Sequence, residues 1–348
     1  VYAYVYPGPA AVVGLTVTYV LTAWRGRDGT ELWHVPVLSE TTVAPLTYVA
    51  GDQLVVLDTT VAGSAGYHFK VVRASDGAVL GTTTLPAAGG PPPVVVDDTA
   101  YQCFPDDTII ATQLTDGALV WRVSALGPAQ QTMPNCTSTL VAGGVVFASM
   151  FAVSGGSSGK GRPGQVVALN ATTGQVLWRY ATATPYASAT PNLLAAGDGL
   201  VVLREDNAYA PSSIVAIRAS DGTPAWRHDG FPPLPVVKGC CAPRNAAVGS
   251  NLVLVGGEGF TLWAFHAADG TLAWRTSEDR HYYSTVGIVD GTVFVHSGFA
   301  GYGSPFPEPS VDGNSYIAAL RARDGVPYWQ TTRGAVGGLV MGSVDGGV

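Results

Sequence analysis

A pattern centred on a two-residue turn, Asp-Gly or Thr-Gly, recurs seven times along the 348 residues. The copies read LTAWRGRDGTELW, FKVVRASDGAVLG, IIATQLTDGALVW, VVALNATTGQVLW, IVAIRASDGTPAW, LWAFHAADGTLAW and YIAALRARDGVPYW. Their turn residues are Asp28, Asp76, Asp116, Thr173, Asp221, Asp269 and Asp324. Five positions after the turn residue stands Trp33, Trp121, Trp178, Trp226, Trp274 or Trp329, and five before it Ala23, Ala111, Ala168, Ala216, Ala264 or Ala319. The second copy lacks both, with Val71 and Gly81 in their places.

Repeats of this length and spacing are units that cannot bury an apolar face alone and must stack on their neighbours. The turn glycine accepts a positive φ between two short apolar strands, which makes each copy a hairpin. The chain is therefore expected to be all-β, a seven-bladed β-propeller of four-stranded antiparallel blades. A tryptophan at a fixed place on the outer strand suits a flat ring wedged between blades, with the alanine leaving room for it. Their joint loss in the second copy fits a single packing contact that needs both.

The Ala, turn and Trp spacing resembles the tryptophan-docking repeat of quinoprotein-type, PQQ-like β-propellers, and the resemblance covers essentially the whole chain. That family includes quinone-dependent dehydrogenases, outer-membrane assembly lipoproteins and repeat domains without catalysis, so the resemblance implies a fold before an activity.

A second pattern lies between the copies: an apolar strand, a polar turn and another apolar strand, as in VAGDQLVVL, VAGGVVFASM and AVGSNLVLVG. The C-terminal GLVMGSVDGGV joined to the N-terminal VYAYVY regenerates it. The C-terminal strand is thus expected to be the inner strand of a blade whose other strands are N-terminal. One domain would span 1–348, its first blade shared between residues 1–36 and 335–348, and the free edge of the ring would vanish. An eighth blade beyond a truncated chain is the alternative.

In such a ring the short Asp-Gly turns share one face, and the segments joining second to third strands and blade to blade share the other. The long irregular segments all belong to the second face, where loops vary without disturbing the core. The candidate binding face comprises Cys240, Cys241, Arg244 and Asn245 of KGCCAPRN with Glu278, Asp279, Arg280, His281 and Tyr282 of SEDRHYYS. The second stretch concentrates charge and aromatic rings in a chain only 12% charged, a composition suited to recognising a polar or protein ligand. Glu308, Asp312 and Asn314 match no established calcium loop and read as a turn. The six histidines show no paired metal-ligand spacing, and neither a phosphate loop nor a nucleophile elbow is present. No catalytic residue and no metal site is therefore assigned.

A net charge of -7 with only three lysines excludes the basic stripe that nucleic-acid binding requires. Pro9 to Trp24 is apolar but short for a span, contains three threonines and runs into a turn, so no membrane span is expected. The sequence begins at Val1 without methionine, which fits a processed chain or a piece of a longer one.

The four cysteines allow three pairings. Cys103 with Cys136, on adjacent blades, and a vicinal Cys240–Cys241 link are the favoured set, with four reduced thiols as the alternative. A disulfide framework points to an extracellular, cell-surface or periplasmic setting. Asn135-Cys-Thr and Asn170-Ala-Thr match the glycosylation acceptor pattern.

In quinoprotein alcohol dehydrogenases an adjacent-cysteine disulfide lies against the cofactor, so the resemblance gives a second expectation for Cys240 and Cys241. It implies a dehydrogenase of alcohols or sugars using PQQ with calcium. Cys-Cys-Ala-Pro-Arg-Asn departs from the family's Cys-Cys followed by Asn-Arg-Gly, and those enzymes are longer and eight-bladed. The favoured expectation is a binding scaffold without cofactor, taking a protein or surface polymer on its loop face. Self-assembly through terminal strands is its variant.

Overall fold

The computed structural model describes residues 2–5, 17–25, 27–39, 47–50, 52–58, 66–86, 91, 93–125, 135–151, 163–182, 191–207, 210–229, 245–256, 261–277, 281–299, 316–331 and 336–340. Within them the chain is an all-β propeller of four-stranded antiparallel blades, and its strands form seven such sheets.

The first blade runs from Val336–Val340 through Tyr2–Val5 and Val17–Trp24 to Glu31–Ser39. The second contains Thr47–Ala50, Gln53–Asp58, Gly66–Arg73 and Val79–Pro86. The third contains Val94–Val96, Thr99–Cys103, Thr108–Gln113 and Leu119–Ser124. Asn135–Ala142, Val145–Phe151, Gln165–Asn170 and Val176–Ala181 make the fourth; Pro191–Gly197, Leu200–Asn207, Ala210–Arg218 and Pro224–His228 make the fifth. The sixth is Asn245–Gly249, Leu252–Gly256, Thr261–His266 and Leu272–Ser277; the seventh is His281–Val289, Thr292–Phe299, Tyr316–Arg321 and Pro327–Gln330. In the first blade Tyr2 pairs with Val340 and Val5 with Val336, so the two ends of the chain share one sheet.

Each repeat folds alike for a local reason. The turn glycine lies at φ +71° to +77° in all seven copies, a conformation other residues adopt only with strain. At Asp76, Asp116, Asp221, Asp269 and Asp324 the carboxylate accepts a hydrogen bond from the backbone N–H two residues on, which closes the turn. Thr173 places its hydroxyl in the same role.

The Ala and Trp of each copy are cross-strand partners: Ala111 faces Trp121, Ala168 faces Trp178, Ala216 faces Trp226, and so on in the six copies that have them. The register shifts immediately after each of these alanines. In the second blade Val71 faces Gly81. The tryptophan ring then reaches over the turn glycine of the following blade: Trp33 over Gly77, Trp121 over Gly174, Trp178 over Gly222, Trp226 over Gly270, Trp274 over Gly325 and Trp329 over Gly29. A Cβ on Gly222 would lie 2.6 Å from the Trp178 ring, so a bare glycine is needed for the ring to seat. Five of the indoles also donate Nε1–H to a backbone carbonyl of that blade, at Ala74, Ala171, Ala219, Ala267 and Ala322.

Between the second and third blades that wedge is missing, and the junction rests on the aliphatic side chains buried beneath its place. Leu114 holds the position where Ala74, Ala171, Ala219, Ala267 and Ala322 stand elsewhere, and it is buried with Val55, Phe69, Leu85, Val95 and Ala100. The rest of the core lies between blades in the same way, as in the cluster of Val146, Ala148, Val167 and Leu169 with Tyr101, Ile109 and Trp121. Trp263, outside the repeat position, stacks at 2° on Phe265 with the Arg275 guanidinium 5.3 Å from its ring centre, a packing role within the sixth blade.

Candidate binding face

The ends of second, third and outer strands opposite the tight turns define the face that carries the longer connections. A disulfide joins Cys103, at the end of the third blade's second strand, to Cys136, near the start of the fourth blade's inner strand. The Cα atoms are 5.9 Å apart, well within disulfide range. Adjacent blades thus bring together two cysteines separated by 33 residues. Just below it, Ser149, fully buried, meets the hydroxyls of Thr137 at 2.6 Å and Ser138 at 2.7 Å. Ser138 Oγ in turn accepts from the backbone N–H of Leu193, at 3.4 Å, on the next blade.

A charged cluster crosses the same face between the fourth and fifth blades. Glu205, 2% exposed, accepts the Tyr180 hydroxyl at 2.6 Å on one oxygen and Arg227 Nη1 at 2.6 Å on the other. Arg227 also donates Nε–H to Asp229 and Nη2 to Ser213 Oγ, while Ser213 donates to Asp229 at 2.8 Å. Burial, reinforced by the Glu205 carboxylate, pushes the Tyr180 phenol well above its ordinary value. The hydrogen bond from Ser213, followed by Arg227, holds Asp229 below the usual carboxylate range. Every member of the cluster is used by another, so it fixes the rim between the two blades. Nothing in the local sequence pointed to it, because its members are scattered over residues 180 to 229 and meet only in the fold. The polar stretch REDNAYAPSS, residues 204–213, is largely strand: Leu200–Asn207 and Ala210–Arg218 extend into it and carry Glu205 and Ser213.

Of the residues expected to form the binding face, Asn245 opens the sixth blade's inner strand and donates Nδ2–H to the Tyr283 carbonyl at 3.4 Å. His281 and Tyr282 belong to the seventh blade's inner strand, paired with Phe299 and Gly298, and not to a connecting loop. Tyr, Thr and Val favour an extended backbone, and HYYSTVGIV continues as one strand. The structure therefore sets Asn245 beside the strand that carries His281 and Tyr282. Cys240, Cys241, Arg244, Glu278, Asp279 and Arg280, and with them the vicinal pair, lie outside the described residues, as do Glu308, Asp312 and Asn314. Among the described residues, no three His, Cys, Asp or Glu side chains converge as a metal site would need. No helix among them is long and apolar enough to cross a membrane.

With the repeat, the Trp wedges and the blade order in view, comparison with known proteins adds the lineage. The family model described as outer membrane protein assembly factor BamB matches residues 18–156, 147–240 and 212–345. The chain belongs to this family of PQQ-like β-propellers. Among solved structures, BamB from Moraxella catarrhalis is 15% identical, with 81% of this chain and 78% of that chain covered and a TM-score of 0.47. The computationally designed Ika8 protein is 14% identical, with 95% and 90% covered and a TM-score of 0.56, a likeness of fold. No curated protein matches the sequence.

Proposed function

We propose that this chain is an extracytoplasmic binding scaffold, without catalysis or cofactor, that takes a protein or surface polymer on its loop-rich face. The observation that carries the reading is the asymmetry of the propeller. One face is made of seven near-identical tight turns. The other carries the disulfide, the Glu205–Arg227 cluster and the strand ends from which the longer connections leave. A rigid rim beneath variable segments is the arrangement that recognition surfaces use. Membership of a family described as an outer membrane protein assembly factor supports a protein ligand and an envelope setting. The disulfide supports an oxidising compartment, whether extracellular, cell-surface or periplasmic.

The scaffold is read as one closed seven-bladed ring. Support comes from the Tyr2–Val5 to Val336–Val340 pairing and from Trp329 of the last blade seating on Gly29 of the first.

The test uses polyethylene glycol-maleimide on single cysteines introduced at Asp206, on the loop face, and at Thr223, beside a tight turn. Partners are captured from envelope extract with each labelled protein. Capture that survives the Thr223 label and is lost with the Asp206 label is expected; the reverse would move the interaction to the turn face. A separate titration with pyrroloquinoline quinone and calcium addresses cofactor use. Stoichiometric uptake with dye-linked alcohol oxidation would overturn the non-catalytic reading.

A further inference from the structure

Six of the seven junctions around the propeller hold an indole over a turn glycine, and the seventh has the glycine without the indole. At the occupied junctions a Cβ built on the glycine would meet Trp ring carbons at 2.6 to 3.2 Å. On Gly117 it would meet nothing within 4 Å. Gly117 keeps the same φ of +71°, the same bond to the carbonyl four residues back (Gln113, 3.0 Å) and the same Asp116 cap on Ala118. The turn alone requires a glycine there, so its identity does not carry the argument; the open space above it does. Across the junction Gly81 stands where the wedge would originate, and a Cβ there also meets nothing within 4 Å. Among the described residues, no side chain has moved into either place.

The surroundings say what would fit. Val79 and Leu80 on the second blade's outer strand and Leu119 and Val120 on the third's are 44% to 59% exposed, large apolar side chains on both sides of the gap. Leu114 and Leu85 are buried beneath. The open place over Gly117 is thus bordered along both outer strands by exposed aliphatic residues. The same chain fills the equivalent place six times with one chemical group.

The geometry points to a binding site at the junction of the second and third blades that takes the side chain of a tryptophan presented by a partner polypeptide. The ring lies over the Asp116–Gly117 turn as Trp178 lies over Gly222, between Leu80 and Leu119. The occupant is fixed by the six filled counterparts: a flat, indole-sized apolar ring supplied from outside, because Gly81 supplies none. The site lies toward the turn face and is independent of the loop-face reading above.

The test uses the intact protein labelled with 15N-glycine and N-acetyltryptophanamide as the probe. Saturable shifts are expected at the Gly81 and Gly117 amides, with Gly222 and Gly270, already beneath their own indoles, unmoved. An isolated side chain should bind with Kd of about 1 mM or weaker. N-acetylleucinamide should bind at least several-fold less well. Gly81→Trp made together with Val71→Ala, which restores both members of the internal wedge, should move Gly117 upfield without probe, raise the thermal midpoint and abolish the probe response. Should that variant fold poorly, Leu119→Asp keeps the backbone and should weaken the probe several-fold. Shifts that do not saturate, equal binding of the leucine analogue, or a response that survives in both variants would overturn the assignment. Self-association of the wild type that Gly81→Trp with Val71→Ala abolishes would give the place to a second copy of this chain and overturn it as well.

Discussion

Gly222 and Gly117 share a backbone conformation, φ +73° and +71°, and differ in what stands over them. Trp178 covers the first, while nothing covers the second. Alanine at either position incurs the left-handed strain, about 1–3 kcal/mol. At Gly222 it also drives a methyl into the indole, adding about 1–3 kcal/mol of overpacking. Urea unfolding of the two variants should therefore separate them, with Gly222→Ala the less stable by about 1–3 kcal/mol. Equal losses would mean that the ring does not rest on the glycine. A second residue-scale prediction concerns Arg227. Its removal as Arg227→Met leaves Glu205, only 2% exposed, without its cation, which should cost about 3–5 kcal/mol. The double variant Arg227→Met, Glu205→Leu should recover much of that loss, since the buried charge goes too. No recovery would show that the cluster matters through more than this pair.

At the scale of the element, the turns make the fold sensitive to acid. Hydrogen bonds from Thr30 hold Asp28 down to about 2, and those from Ala78, Thr223 and Thr271 hold Asp76, Asp221 and Asp269 below the ordinary carboxylate value. At Asp324 burial pushes upward, but the Val326 N–H and Arg321 outweigh it. A carboxylate whose folded pKa is depressed stabilises the fold above its unfolded value, about 4, and loses that contribution as pH falls through the folded value. Stability should thus decline between pH ~4 and ~2. Asn at all five positions keeps an oxygen for each turn and should flatten the decline, measured by urea unfolding across that range. An unchanged slope would place the acid sensitivity elsewhere. These turns were also the part of the fold most legible in the sequence. Asp-Gly with Ala and Trp at fixed distances encodes turn, register and wedge in one short window, which is why blade architecture could be read from residues alone. HYYSTVGIV and REDNAYAPSS were harder, because charge and aromatic content mark exposed connections as readily as strand ends. The Tyr180–Glu205–Arg227 cluster had no local signal at all. Tyr180 joins it from the fourth blade, and only the pairing of the fifth blade's third and outer strands brings Ser213 and Asp229 to the same guanidinium.

For the whole molecule the question is what holds the blades together. The disulfide spans the third and fourth blades over 33 residues of sequence, a loop whose closure is worth about 3–4 kcal/mol in the unfolded chain. Cys103→Ser with Cys136→Ser should lower stability by up to that amount and leave the strand content seen by circular dichroism intact, since Trp121 over Gly174 still joins the same blades. Loss of the fold itself would mean that the covalent link, and not packing, defines the junction. The first blade has a different vulnerability. Its inner strand, Val336–Val340, comes from the far end of the chain and pairs with Tyr2–Val5. A chain ending before Val336 leaves the backbone N–H and C=O groups of Tyr2–Val5 facing an empty side, and such an edge invites another strand. Two outcomes of truncation differ in kind. If the C-terminal strand closes the ring, the shortened protein should unfold at a lower temperature and associate in sedimentation, and a peptide carrying residues 335–348 should return it to a monomer of nearly full stability. A truncated chain that stays monomeric with an unchanged midpoint would show that the remaining contacts between the first and last blades, Trp329 against Gly29 and Trp24 against Phe294 and Ile317 among them, suffice to hold them together.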